Sequence, residues 1–151
     1  MAKSQPVRKE HWKLEPDEHD YPAAAKYLGL VMDDDAVDRT IGALKAAAVE
    51  HYLAKDLLRA SRLALLPFDN AHVAADLKKV TREQKLSPVL LVRGSLSHDV
   101  ALTIADGYHR VCASYHIDEN ARIPCRICDA PRAPARPPAA KRVSPPKTVG
   151  R

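Results

Sequence analysis

The sequence predicts an α/β protein of the α+β kind, with one small mixed sheet, helices packed on it and two further helices ahead of it. Three observations predict it. Strand and helix signals alternate from residue 49 onward. Two amphipathic helical stripes precede residue 49. The chain has 151 residues with 46% hydrophobic content, enough for one modest core. The expected organisation is a helical extension over 1–48, an α/β domain over 49–130 and a tail over 131–151.

Residues 1–20 are polar, and Trp12, the only tryptophan, is expected to anchor this segment on the domain. Pro22 suits the first turn of a helix. Ala24, Tyr27, Leu28 and Val31 then follow at i, i+3, i+4 and i+7, one apolar face. Asp33, Asp34 and Asp35 come next. Consecutive carboxylates point in different directions, so helix capping explains them better than a metal site. The helix they open carries Val37, Ile41, Leu44 and Ala48 on one side.

Segment 49–54 fits a short strand, and 55–61 a helical turn. The apolar stretch after Arg62 stops at Pro67. Asp69 or Asn70 can cap a helix over 71–79 with Val73, Leu77 and Val80 inward. Pro88 opens the strand 89–92, Gly94 and two serines mark a hairpin loop, and 100–105 reads as the next strand. A helix over 107–117 and a last strand over 121–127 complete the domain. Ile123, Cys125 and Ile127 alternate towards the core, so the pair Cys125 and Cys128 reads as structural rather than as a zinc or redox site.

Charge is unevenly placed. The net +5 is exceeded by six basic residues after Pro131, namely Arg132, Arg136, Lys141, Arg142, Lys147 and Arg151, with no acid among them. The rest of the chain is close to neutral. Half of the 12 prolines lie at or beyond Pro131, so 131–151 is expected to be a disordered basic tail, with nucleic acid as a partner open to it. Three cysteines do not make a disulfide framework, and there is no long apolar run or secretory signal. A cytoplasmic protein with no membrane partner is the expectation.

Chemistry concentrates at Asp106-Gly107-Tyr108-His109-Arg110, where a strand ends and a helix begins. Glycine permits positive φ and close approach to the backbone. The first N–H groups of a helix lack intrahelical partners and, with the macrodipole, attract an anion. Arg110 can fork onto a phosphate, and His109 can donate or move a proton. Asp106 is a helix cap or a Mg²⁺ ligand bridging to the phosphates. Tyr108 and Cys112 share a stripe with Val111 and Tyr115 that suits the core.

From about residue 53 to 127 the element order and the string "IADGYHRVCAS" resemble the domain shared by the ParB N-terminal family and sulfiredoxin. The corresponding turn in that superfamily is a Gly-x-x-Arg signature that binds nucleotide phosphates: CTP in ParB, ATP in sulfiredoxin, ADP in an archaeal free serine kinase. The resemblance implies a nucleotide or phosphate site at Gly107, Tyr108, His109 and Arg110, with Asp106 and His109 as catalytic candidates. It also implies that a turn at 67–70 closes the pocket, with Asn70 in reach of the ligand. A carboxylate beside a phosphate repels it unless a cation intervenes, so Mg²⁺ is expected to accompany the nucleotide. Tyr108 stands where sulfiredoxin carries its cysteine, which argues against sulfinic acid reduction. Two classes of function follow. One is a nucleotide or phosphate binder, with phosphotransferase or nucleotide hydrolase activity open to it. The other is a non-catalytic interaction or nucleic-acid-associated protein that uses its basic tail.

Overall fold

The computed structural model describes residues 11–131. The tail expected over 131–151 lies, but for its first residue, outside the described residues. Nine elements follow one another: α1 (Asp20–Leu28), α2 (Asp34–Ala46), β1 (Val49–Leu53), α3 (Ala54–Ser61), α4 (Ala71–Thr81), β2 (Val89–Val92), β3 (Thr103–Asp106), α5 (Tyr108–Ile117) and β4 (Arg122–Cys128). The four strands form one mixed sheet in the order β1-β4-β2-β3. β4 is parallel to β2, and both outer pairs are antiparallel. The predicted class, a small mixed sheet with packed helices, is the observed one.

β2 explains the architecture. All four of its residues are apolar and buried, the signature of a strand covered on both faces. Val89 and Leu91 point into one core with Leu57, Val73, Val111, Ile123 and Cys125. Leu90 and Val92 point into a second core with Tyr21, Leu28, Val37, Leu44 and Cys128. The helices α3, α4 and α5 therefore cover one face, and α1 and α2 the other. The N-terminal helices form the third layer, without which Leu90 and Val92 would face water. Trp12 is the expected anchor, because it joins the first core, and the chain beside it pairs with Leu86. Among the described residues no helix is long and apolar enough to cross a membrane.

Local sequence explains most boundaries. Asp33 caps α2 by accepting from the Ala36 N–H at 2.8 Å, the role expected for the acidic triplet. Three expectations need correction. The stripe of α1 stops at Leu28: the helix ends at Gly29, which leaves Val31 exposed, and Tyr27, though helical, lies off the buried face of Tyr21, Ala24 and Leu28 and is exposed as well. Ala48 lies beyond the end of α2. The strand expected over 100–105 is Thr103–Asp106, because Val100 bridges Ser95 across the hairpin and the Leu102 N–H goes to the Ala60 carbonyl at 3.0 Å.

Candidate functional site

The turn after β3 is set by a bulge and a glycine. Leu90 stands opposite Asp106 while Leu91 stands opposite Ile104, so β3 carries one extra residue at this point. Asp106 is thereby carried to the level of Leu90 and towards the α1 side of the sheet. Gly107 follows with φ +115, and a Cβ there would lie 2.8 Å from the Val89 Cγ2 atom. Only glycine fits both the torsion and the space. Gly107 is the N-cap of α5, and no side chain caps this helix end. By contrast, α2 and α4 are capped by Asp33 and Asn70.

The side chains of the turn go in different directions. Arg110 donates to the Asp106 carboxylate at 2.8 Å and to the Pro88 carbonyl at 3.3 Å. Its guanidinium also lies 4.0 Å from the Asp20 carboxylate of α1. The three side chains are 16%, 17% and 4% exposed, so this is a largely buried brace between helix, strand and the N-terminal layer. Burial pushes the Asp106 carboxyl above the usual carboxylate range, Asp20 adds to the rise, and Arg110 opposes it. Asp106 is thus an ion-pair partner rather than a helix cap or a free base. Tyr108 is held by structure as well, since its hydroxyl donates to the Ala64 carbonyl at 2.6 Å.

His109 faces a cleft of about 280 Å³ between the start of α5 and α4. Asp106, Gly107, His109 and Arg110 form one wall, and His72, Asp76 and Lys79 of α4 form the other. The α4 residues recur at i, i+4 and i+7, one helical face. The rings of His72 and His109 sit 4.7 Å apart. Burial and then the charge of His72 hold the His109 imidazole below its ordinary value, which keeps it neutral and able to donate or accept a proton at pH 7. Burial pushes the Asp76 carboxyl up.

Asn70 and the 67–70 turn depart from expectation. The Asn70 side chain accepts from the N–H groups of His72 and Val73, so it caps α4 and is not part of the cleft wall. The loop ahead of it runs along α5 instead, and its Leu66 carbonyl accepts from His116 Nε2 at 2.7 Å. His72, Asp76 and Lys79 were not singled out from the sequence. Their spacing was visible, but only tertiary packing brings that face to the turn.

The cysteine pair is not a centre. Cys125 belongs to the first core and Cys128 to the second, on opposite faces of the sheet, so they cannot share a metal or form a disulfide. Burial pushes the Cys125 thiol up to about 12. Among the described residues, the one group of three or more His, Cys, Asp or Glu side chains close enough to share an ion is Asp17, His19 and Asp20, within 4.8 Å of one another, and Asp106 is not part of it.

No family model, curated protein or solved structure compared with the chain matches it. The resemblance to the ParB N-terminal and sulfiredoxin families rests on the turn motif and the order of elements alone.

Proposed function

We propose that this protein binds a phosphate-bearing small molecule, a nucleotide or a phosphorylated metabolite, in the cleft between α4 and the start of α5. The observation that carries the proposal is the uncapped end of α5. Its first turn opens on a cleft whose side chains include His72, Lys79 and His109, all able to donate to an anion. A phosphate there would take the place that Asp33 and Asn70 fill at α2 and α4. The turn motif shared with the ParB-like domains supports the same ligand class.

Arg110 enters this reading as a positioning residue, because its Nη2 atom is held by Asp106 and Pro88 in a largely buried brace. Asp76 and Asp106 would repel a bare phosphate. Mg²⁺ therefore enters with the ligand, as the metal complex of a nucleotide, rather than as a resident ion. Turnover, as a phosphotransferase or nucleotide hydrolase, would fall to His109, the neutral imidazole in the cleft.

Calorimetric titration of the full chain with inorganic phosphate, ADP, ATP and CTP, in Mg²⁺ and in chelator, tests the proposal. Binding at about millimolar affinity or better is expected for at least one, with Lys79→Ala and His109→Ala each weakening it by about 1.5 kcal/mol, the low end for a charge-assisted hydrogen bond. No binding by the wild type, or equal binding by wild type and both variants, would end it.

A further inference from the structure

A second cavity, of about 400 Å³, opens between α3 and the hairpin loop that joins β2 to β3. It shares no lining residue with the α5 cleft. Its existence follows from the fold. α3 is only eight residues long and covers part of the sheet, so Leu57, Leu91, Leu102 and Ile127 line an unfilled apolar space. The volume falls within the range of about 300–1,000 Å³ of small-molecule sites.

Three arginines from different elements also line it: Arg59 of α3, Arg62 just after it, and Arg93 at the end of β2. Each gives one nitrogen to one carboxylate. Arg59 bonds Asp56 at 3.1 Å, Arg62 bonds Asp99 at 2.8 Å and Arg93 bonds Asp129 at 2.7 Å. A guanidinium has five N–H donors in a planar fork, so each retains donors for a second anion. The carboxylate partners are themselves solvent-exposed, and such surface pairs contribute little, so exchange of an aspartate for a ligand carboxylate is inexpensive. Arg62, the C-cap of α3, and its partner Asp99 in the hairpin loop both hold left-handed backbone, φ 59 and 56.

We infer that this cavity binds a small organic acid with an apolar body, seated on Val100, Leu102 and Ile127 above the buried Leu57 and Leu91, with its carboxylate on the arginine rim. Guanidinium matches a carboxylate in a bidentate, coplanar fashion, and the apolar walls reject a wholly polar anion. Asp56, which also lines the cavity, is held by Arg59.

Octanoate and its neutral twin 1-octanol are the probes, titrated into the ¹⁵N-labelled full chain and read by amide shifts of Leu57, Gly94, Leu102 and Ile127. Octanoate is expected to saturate these shifts, and octanol to bind about tenfold more weakly for want of the charge-assisted bonds. Arg62→Gln combined with Arg93→Gln should weaken octanoate about tenfold and leave octanol unchanged. Ala60→Phe, which fills the cavity from an exposed helix position, should abolish both. Both arginines and Ala60 are exposed, so folding should survive, and unchanged shifts elsewhere in the spectrum check it. Failure of octanoate to saturate below about 10 mM would overturn the site. Equal binding of octanoate and octanol, or octanoate affinity indifferent to the arginine changes, would overturn the anion preference. Because the two cavities have separate walls, these outcomes are independent of phosphate binding at α5.

Discussion

Replacing Arg110 by methionine separates the two roles open to that residue. Methionine keeps an unbranched apolar stem and removes the guanidinium. The structure then leaves Asp106 and Asp20, 17% and 4% exposed, without the cation that compensates them. Breaking a buried ion pair from one side costs about 3–5 kcal/mol, and the residual exposure of Asp106 places this one near 3 kcal/mol. For a folded unit of this size that corresponds to a fall in melting temperature of roughly 9–15 °C. Asp106→Asn in the same background should return part of the loss, giving a coupling energy of about 1–3 kcal/mol in a double-mutant cycle. The loss should also shrink at low pH. The Asp106 carboxyl is already raised by burial, and without Arg110 it protonates more readily still, which removes the uncompensated charge. Thermal and urea unfolding of the four proteins of the cycle supply the measurement. A cost below about 1 kcal/mol, or no coupling to Asp106, would refute the brace. It would return Arg110 to the direct phosphate contact that the sequence suggested.

Three further outcomes are expected. Gly107→Ala should destabilise by about 2–4 kcal/mol in urea unfolding, because φ is +115 and the new Cβ meets the fully buried Val89 at 2.8 Å. Asn70→Ala should cost about 1 kcal/mol through loss of the α4 cap while leaving phosphate affinity unchanged, and a selective loss of affinity would put Asn70 back in the ligand site. His109 should set a pH dependence. Its folded pKa lies below the ordinary 6.5, so the unfolded chain takes the proton first, and stability present above 6.5 is lost as pH falls through the lowered value. His109→Gln should therefore flatten the stability profile between about pH 7 and pH 5, and an unchanged slope would refute it.

The match between pattern and structure was good where one element decides its own fate. Asp33 caps α2, Asn70 caps α4, and the apolar run of β2 is a strand. Gly107 opens α5 with positive φ, as an Asp-Gly turn into a helix requires. These depend on neighbours in the chain, on torsion preference and on hydrogen bonds within a turn. The pattern misled where another element intervenes. Val31 continues an apolar stripe on paper, but the chain leaves the helix at Gly29 before it can be buried, and Tyr27 lies off the face that α1 buries. Val100 alternates correctly for a strand, yet the hairpin uses it to bridge Ser95.

The sequence by itself determined the class of fold, the position of the turn and the identity of its glycine, because periodicity and backbone preference are local. Only the tertiary structure decided what that turn is for. The bulge in β3 brings Asp106 towards Asp20, and Arg110, on the wall of the cleft, pairs with these carboxylates. Packing of α4 against α5 supplies His72, Asp76 and Lys79, which lie some thirty residues earlier in the chain. A buried cation goes to the nearest buried carboxylate, and which carboxylate is nearest is a property of the packed chain.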